Sequence, residues 1–90
     1  ADMNTTKKAM DEYRRGDIDK AVKLLAKSCN DKEINACVNL GYIYVRGLSV
    51  KKNFTKGYNL LKKACDSGNN KGCIVLGNAI IEEEGNLWYN

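Results

Sequence analysis

Four cysteines carry the clearest chemical signal in the sequence. Cys29 and Cys37 are eight residues apart, and Cys65 and Cys73 repeat that spacing 36 residues later. An even number of cysteines in a short chain is typical of a disulfide framework formed in an oxidising compartment. Four cysteines allow about three connectivities, but a feature that is copied together with its repeat favours a bond within each pair. We therefore predict the disulfides Cys29–Cys37 and Cys65–Cys73.

Reduced core thiols and a metal site are the alternatives for the cysteines. Zinc ligands usually lie about two to four residues apart, and histidine commonly completes the set. The sequence has no Cys-x-x-Cys and no histidine. We expect no metal and no cofactor. The missing imidazole also removes the commonest general base of acid–base catalysis.

One short motif matches a known catalytic spacing. Ser49-Val50-Lys51-Lys52 fits the Ser-x-x-Lys of β-lactam enzymes, in which the serine is the nucleophile. That chemistry requires the serine at the start of a helix together with Ser-Asp-Asn and Lys-Thr-Gly, and the sequence contains neither tripeptide. The acidic run at 82–84 is interpreted as a solvated helix end, not as a pair of catalytic carboxylates. We predict no catalytic residue.

Charge and exposed aromatic residues point to binding. The net charge is +4, and no acidic residue lies between Glu33 and Asp66, a segment that carries six positive charges. Two interpretations of this basic segment are open: a solvated face, or a docking patch for an acidic protein partner. Nucleic acid is not expected, because the net charge is mild. The candidate partner-binding residues are Tyr42, Arg46, Lys51, Lys52, Lys56 and Trp88.

Five segments with helical periodicity must position these residues. Asp17 and Asn53 are typical N-caps, and Gly16, Gly47 and Gly85 are typical helix ends. Apolar residues recur at spacings of three and four within residues 3–13, 18–29, 37–44, 54–65 and 73–80. The pattern predicts an all-α fold.

The sequence also repeats itself. Residues 23–29 return at 59–65, and residues 37–41 return at 73–77. A fixed period of this size is typical of stacked helical hairpins, each too small to bury its apolar face alone. We expect a single repeat domain over residues 1–90, with hairpins at about 3–29 and about 33–66 and a terminal helix with its cap at about 69–90.

Three glycines lie inside predicted helices, at Gly41, Gly57 and Gly77. A glycine there costs about 1 kcal/mol relative to alanine. Close approach of a neighbouring helix backbone is a physical reason for that cost. We therefore expect tight helix packing at all three positions.

The segment 29–77 resembles a Sel1-like repeat. Its motif is Ala-Cys-x-x-Leu-Gly-x-x-Tyr-x-x-Gly at 36–47, followed by Val-x-Lys at 50–52 and Lys-Ala-Cys-Asp at 63–66. Residues 6–27 resemble an atypical, shorter first hairpin. The Cys-x7-Cys pairs look like those of the Helicobacter cysteine-rich protein family.

That resemblance implies a short right-handed α/α superhelix of Sel1-like, TPR-related helical hairpins stapled by disulfides. It also implies export and the binding of proteins on a concave face. Some members of the family are described as penicillin-binding or weakly β-lactam-hydrolysing.

The sequence therefore predicts an exported, disulfide-bonded, non-catalytic protein–protein interaction module. The alternatives are a small inhibitor or immunity-type protein that neutralises one enzyme or toxin, and a β-lactam-binding or weakly β-lactam-hydrolysing protein. No apolar run is long enough to cross a membrane. A chain that begins at Ala1 without a signal-like stretch fits a mature periplasmic or secreted protein.

Overall fold

The computed structural model describes residues 3–89, and its side chains are described over residues 5–85. This part of the chain folds into five α-helices: α1 (Met3–Arg14), α2 (Ile18–Asn30), α3 (Ile34–Arg46), α4 (Phe54–Asp66) and α5 (Asn70–Tyr89). Successive helices pack on each other, and α3 contacts α2, α4 and α5. The all-α prediction is confirmed.

Local sequence signals set most helix ends. The Asp17 carboxylate accepts a hydrogen bond from the backbone N–H of Lys20, and the Asn53 side chain accepts one from Lys56. Each cap satisfies an N–H that has no partner inside its helix. Gly47 ends α3 in the left-handed region, with φ of 67°. The predicted end at Gly85 is wrong, since α5 continues to Tyr89.

Two equivalent turns connect α2 to α3 and α4 to α5. Lys32, with φ of 72°, occupies the same repeat position as Gly68, with φ of 89°. The backbone N–H of Lys32 donates to the carbonyl of Cys29, and that of Gly68 donates to the carbonyl of Cys65. The left-handed residue reverses the chain within a few residues, so the last turn of one helix faces the first turn of the next.

This reversal brings the cysteines together. The Cα atoms are 4.7 Å apart in the Cys29–Cys37 disulfide and 4.5 Å apart in the Cys65–Cys73 disulfide. Both separations lie in the range of about 4.4–6.8 Å that a disulfide requires. Among the described residues no cysteine is free. The predicted pairing is confirmed.

The core is centred on α3, and glycine makes the contact between α3 and α4 close. A Cβ atom built on Gly57 would lie 2.5 Å from Cγ1 of Val45 and 2.6 Å from the carbonyl oxygen of Gly41. One built on Gly41 would lie 2.8 Å from Cγ of Leu61. Close packing is confirmed at these two glycines. It is wrong for Gly77, where a Cβ would have no neighbour within 4 Å.

Candidate binding groove

Helices α1, α3 and α5 together line a groove along α3. Its central part is formed by Met10, Val38, Asn39, Tyr42, Lys71 and Val75 and has a volume of about 350 Å³. We call these six residues the α3 groove. A neighbouring hollow on the α1 side shares Met10, Val38, Asn39 and Lys71, and one on the α5 side shares Tyr42 and Val75. The groove is therefore continuous across three helices.

The register of α3 explains why its residues Val38 and Tyr42 line the groove. Val38, Tyr42 and Arg46 are four residues apart along one face of the helix. The face that carries Ala36, Leu40 and Ile43 is buried in the core. The same helix therefore supplies both core residues and groove residues.

Tyr42 is the aromatic residue at the centre of the groove. Its side chain is 39% exposed, and the Arg46 guanidinium carbon lies over the ring at 5.3 Å from the centroid. Arg46 in turn donates a hydrogen bond to Glu82 at 3.1 Å. These contacts hold an amphipathic aromatic side chain in place at little cost in conformational freedom, as is typical of binding anchors.

The rim of the groove is positively charged. The exposed side chains of Lys7 and Lys71 line its α1 side. Across the described residues, neither lysine takes part in an ion pair. Asp11 on the same rim is neutralised by Arg14 at 2.9 Å. A carboxylate of a bound molecule would therefore find two unpaired ammonium groups beside an apolar floor.

The acidic run of α5 partly neutralises the basic segment between Glu33 and Asp66. Arg46 pairs with Glu82 at 3.1 Å, and Lys52 pairs with Glu83 at 3.2 Å. Glu82 is solvated as expected, with its side chain 50% exposed, but the acidic run is not a helix end, because α5 continues to Tyr89. Since α5 packs beside α3, Glu82 and Glu83 lie next to the basic residues. The pairs tie α5 to α3 and to the α3–α4 loop.

Of the candidate binding residues, Tyr42 lines the α3 groove, Arg46 and Lys52 line the neighbouring hollows, and the other three lie elsewhere or outside the described side chains. Lys51 is exposed in the α3–α4 loop. The Lys56 ammonium lies over the ring of Tyr44, 4.8 Å from its centroid, instead of beside Tyr42. The side chain of Trp88 lies outside the described residues. Of the six candidates, the structure brings Tyr42, Arg46 and Lys52 into one neighbourhood.

Ser49 does not lie at the start of a helix, as a catalytic Ser-x-x-Lys serine would. It is exposed in the α3–α4 loop with φ of 62°, and α4 begins five residues later at Phe54. The helix-opening position that Ser-x-x-Lys chemistry requires is therefore not met.

On α4, a hydrogen bond to Asp66 and the attraction of its charge raise the pKa of Lys62.

No metal-binding cluster of cysteine and carboxylate side chains is present in the described part of the chain. Likewise, none of its helices is long and apolar enough to span a bilayer.

Sequence reasoning missed five of the six groove residues: Met10, Val38, Asn39, Lys71 and Val75. Met10 and Val75 fit an ordinary core stripe, so their types gave no signal. Their common location depends on how three helices align side by side. A comparison of α5 with α3 at the 36-residue period would have placed Lys71 and Val75 at the positions of Asn35 and Asn39.

The family model for the Sel1 repeat matches residues 11–32 and 34–69. The second match covers α3, its loop and α4, and the first covers the end of α1 and α2. No curated protein matches the chain.

Proposed function

Because the chain belongs to the Sel1 repeat family, we propose that it is a non-catalytic protein-interaction module that holds a peptide segment of its partner in the α3 groove. Sel1 repeats are typical of protein interaction, and solenoid repeats commonly bind on the surface that their stacked helices create. The observation that carries the proposal is the exposed Tyr42 at the centre of a groove with an apolar floor and an unpaired basic rim.

The groove chemistry favours an acidic partner segment. An aliphatic or aromatic side chain would pack on Met10, Tyr42 and Val75, and a carboxylate beside it would meet Lys7 or Lys71. Exposed charges of this kind act mainly on the rate of encounter, whereas the buried anchor acts on the lifetime of the complex.

We further propose that the protein works outside the cytosol, in the periplasm or beyond the cell. Two disulfides favour an oxidising compartment. The Cys-x7-Cys pairs within Sel1 repeats also support membership of the Helicobacter cysteine-rich group of this family. Within the proposed function, inhibition of a single cognate protein is one specialised form of binding.

A phage-displayed peptide library selected on the oxidised protein tests the groove. We expect the enriched peptides to combine an apolar anchor with aspartate or glutamate. Tyr42→Ala should weaken their binding about tenfold or more, as expected for a central anchor. Lys71→Glu should slow association and reduce its dependence on salt.

Lys23→Glu is the matched control, because it reverses the charge of another exposed helical lysine, on α2. It should leave binding nearly unchanged. Selected peptides that bind the Tyr42 and Lys71 variants as tightly as the parent chain would refute the groove as the binding site.

A further inference from the structure

The outer side of α5 exposes apolar residues whose counterparts on α3, the equivalent helix of the preceding repeat, are buried. Ile74 and Ile81 are 63% and 68% exposed, whereas Val38 and Val45, located 36 residues earlier on α3, are 1% and 6% exposed. Gly77 lies between the two isoleucines, at the position that Gly41 has on α3. We call Ile74, Gly77 and Ile81 the α5 face. These positions lie on one side of the helix, and contiguous exposed apolar surface commonly marks an interaction site.

The covered face of α3 shows how such a surface is occupied. α3 presents glycine followed four residues later by valine, Gly41 and Val45, and α4 presents Gly57 and Leu61 in the same spacing. Leu61 lies over Gly41, and Val45 lies over Gly57. The two helices are thus joined by two reciprocal contacts in which an aliphatic side chain fills the space above a glycine, and the helices run antiparallel.

The α5 face contains the same motif, Gly77 followed by Ile81. Two copies of α5, crossing antiparallel about a two-fold axis, would place each Ile81 over the Gly77 of the other copy. This arrangement reproduces the α3–α4 contact with one helix supplying both halves. A two-fold contact of this kind is isologous, the commonest geometry of homodimers.

At the opposite end of the helix stack, the described residues of α1 and α2 include no hydrophobic side chain as exposed as Ile74 or Ile81. Among the described residues, the large hydrophobic side chains with high exposure are Tyr42, Ile74 and Ile81. None of these lies on α1 or α2, so a head-to-tail contact would set the apolar α5 face against apolar side chains that are at most partly exposed. The exposed pattern therefore favours self-pairing over an open chain of copies.

We propose that the α5 face is a homodimer interface, occupied by the α5 face of a second copy of the chain. The inference is independent of binding in the α3 groove, because the two surfaces lie on different sides of α5. Gly77 allows the backbones to approach, and Ile74 and Ile81 supply the apolar area that becomes buried.

Analytical ultracentrifugation of the oxidised protein over a wide concentration range is the first test. We expect a reversible monomer–dimer equilibrium. Gly77→Leu should raise the dimer dissociation constant at least tenfold, since the added side chain occupies the space of the partner's Ile81. Asn59→Leu is the control, because it adds the same side chain at an exposed position of α4, and it should leave the equilibrium unchanged.

A mixing experiment tests the reciprocal contact itself. Ile81→Ala creates the space that the leucine side chain of the Gly77→Leu variant needs. A chain with Gly77→Leu and a chain with Ile81→Ala should therefore pair with each other at least tenfold more tightly than either pairs with itself. General stickiness of the α5 face does not predict this rescue. Circular dichroism of each variant shows whether its helices are retained.

A chain that stays monomeric at its highest soluble concentration would overturn the proposal, as would a dimer that Gly77→Leu does not weaken. A second experiment uses a peptide of residues 54–66, the α4 sequence, with Cys65→Ser. If the chain is monomeric and this peptide binds it and shifts the NMR signals of Gly77 and Ile81, the α5 face binds a partner helix and the homodimer proposal is overturned. Peptide binding in the α3 groove should be unaffected by Gly77→Leu, so the two proposals fail separately.

Discussion

Replacing each of two helical glycines by alanine should change stability in opposite directions. In both Gly57→Ala and Gly77→Ala, alanine gains about 1 kcal/mol of helix propensity. At Gly77 the new Cβ meets nothing within 4 Å. We therefore expect Gly77→Ala to raise the free energy of unfolding by about 1 kcal/mol, which corresponds to a melting temperature higher by about 4–8 °C in a domain of this size.

At Gly57 the same methyl group has no room. It would lie 2.5 Å from Val45 Cγ1, 2.6 Å from the Gly41 carbonyl oxygen and 2.8 Å from the Val45 backbone nitrogen. Two of these atoms belong to the backbone of α3, so a side-chain rotation cannot remove the clash and the helices must separate. Overpacking of this kind costs about 3 kcal/mol, at the upper end of the usual range.

The propensity gain offsets about 1 kcal/mol of that cost, which leaves Gly57→Ala less stable by about 2 kcal/mol. Its melting temperature should fall by about 8–16 °C. Gly41→Ala should lie between the parent chain and Gly57→Ala, because its closest new contact, at 2.8 Å, is with the Leu61 side chain. Thermal unfolding of the oxidised proteins, followed by circular dichroism at a concentration where the chain is monomeric, measures the order of the melting temperatures. If Gly57→Ala and Gly77→Ala shift the melting temperature in the same direction, the packing argument is refuted.

Three further substitutions or treatments test the disulfides, the core and the turns. Cys29 and Cys37 are 2% and 0% exposed, whereas Cys65 and Cys73 are half-buried; graded reduction followed by alkylation and mass spectrometry should therefore open Cys65–Cys73 first. Full reduction should lower the free energy of unfolding by about 2–5 kcal/mol, and an unchanged melting temperature would contradict this. Ser28→Ala should raise the free energy of unfolding in urea by about 1 kcal/mol. The Ser28 hydroxyl is buried with no hydrogen-bond partner among the described residues, and the second repeat has alanine at the equivalent position 64. A loss of stability would instead show that the hydroxyl has a partner. Lys32→Gly should raise the free energy of unfolding in urea by about 1 kcal/mol, since Lys32 has φ of 72° where the second turn has Gly68, and a lower value would count against backbone strain at Lys32.

Helix positions and disulfide pairing could be predicted because both depend on nearby residues. Asp17 and Asn53 bind backbone N–H groups three residues further on. The cysteine pairs are eight residues apart and span one tight turn. In each case the interacting groups are close along the chain, so their types and spacing carry the information. The same reasoning fails at Gly85, because a lone glycine costs a helix about 1 kcal/mol and does not by itself end it.

Which neighbours cover each helix could not be predicted from the local sequence in the same way. Gly41 and Gly77 both follow Cys-x-x-Leu, yet one is covered by Leu61 and the other is open. Position in the stack decides the difference, since α3 has a helix on each side and α5 lies at one end of the described part. The same Cys-x-x-Leu-Gly motif therefore marks a buried contact in one repeat and an exposed face in the next.

The sequence alone determined the all-α class, the caps and the disulfides, because each is encoded by residues within about one helical turn or one tight turn of each other. It also determined the 36-residue repeat, because the repeat is a comparison of the sequence with itself and needs no spatial contact. Only the tertiary structure decided where charge and groove residues meet. Arg46 and Glu82 are 36 residues apart, and Lys52 and Glu83 are 31 apart, yet each forms an ion pair. Met10, Tyr42 and Val75 belong to three helices and line one groove. Such contacts depend on the distance and rotation between packed helices, which the side chains of the whole core set together and no short segment encodes.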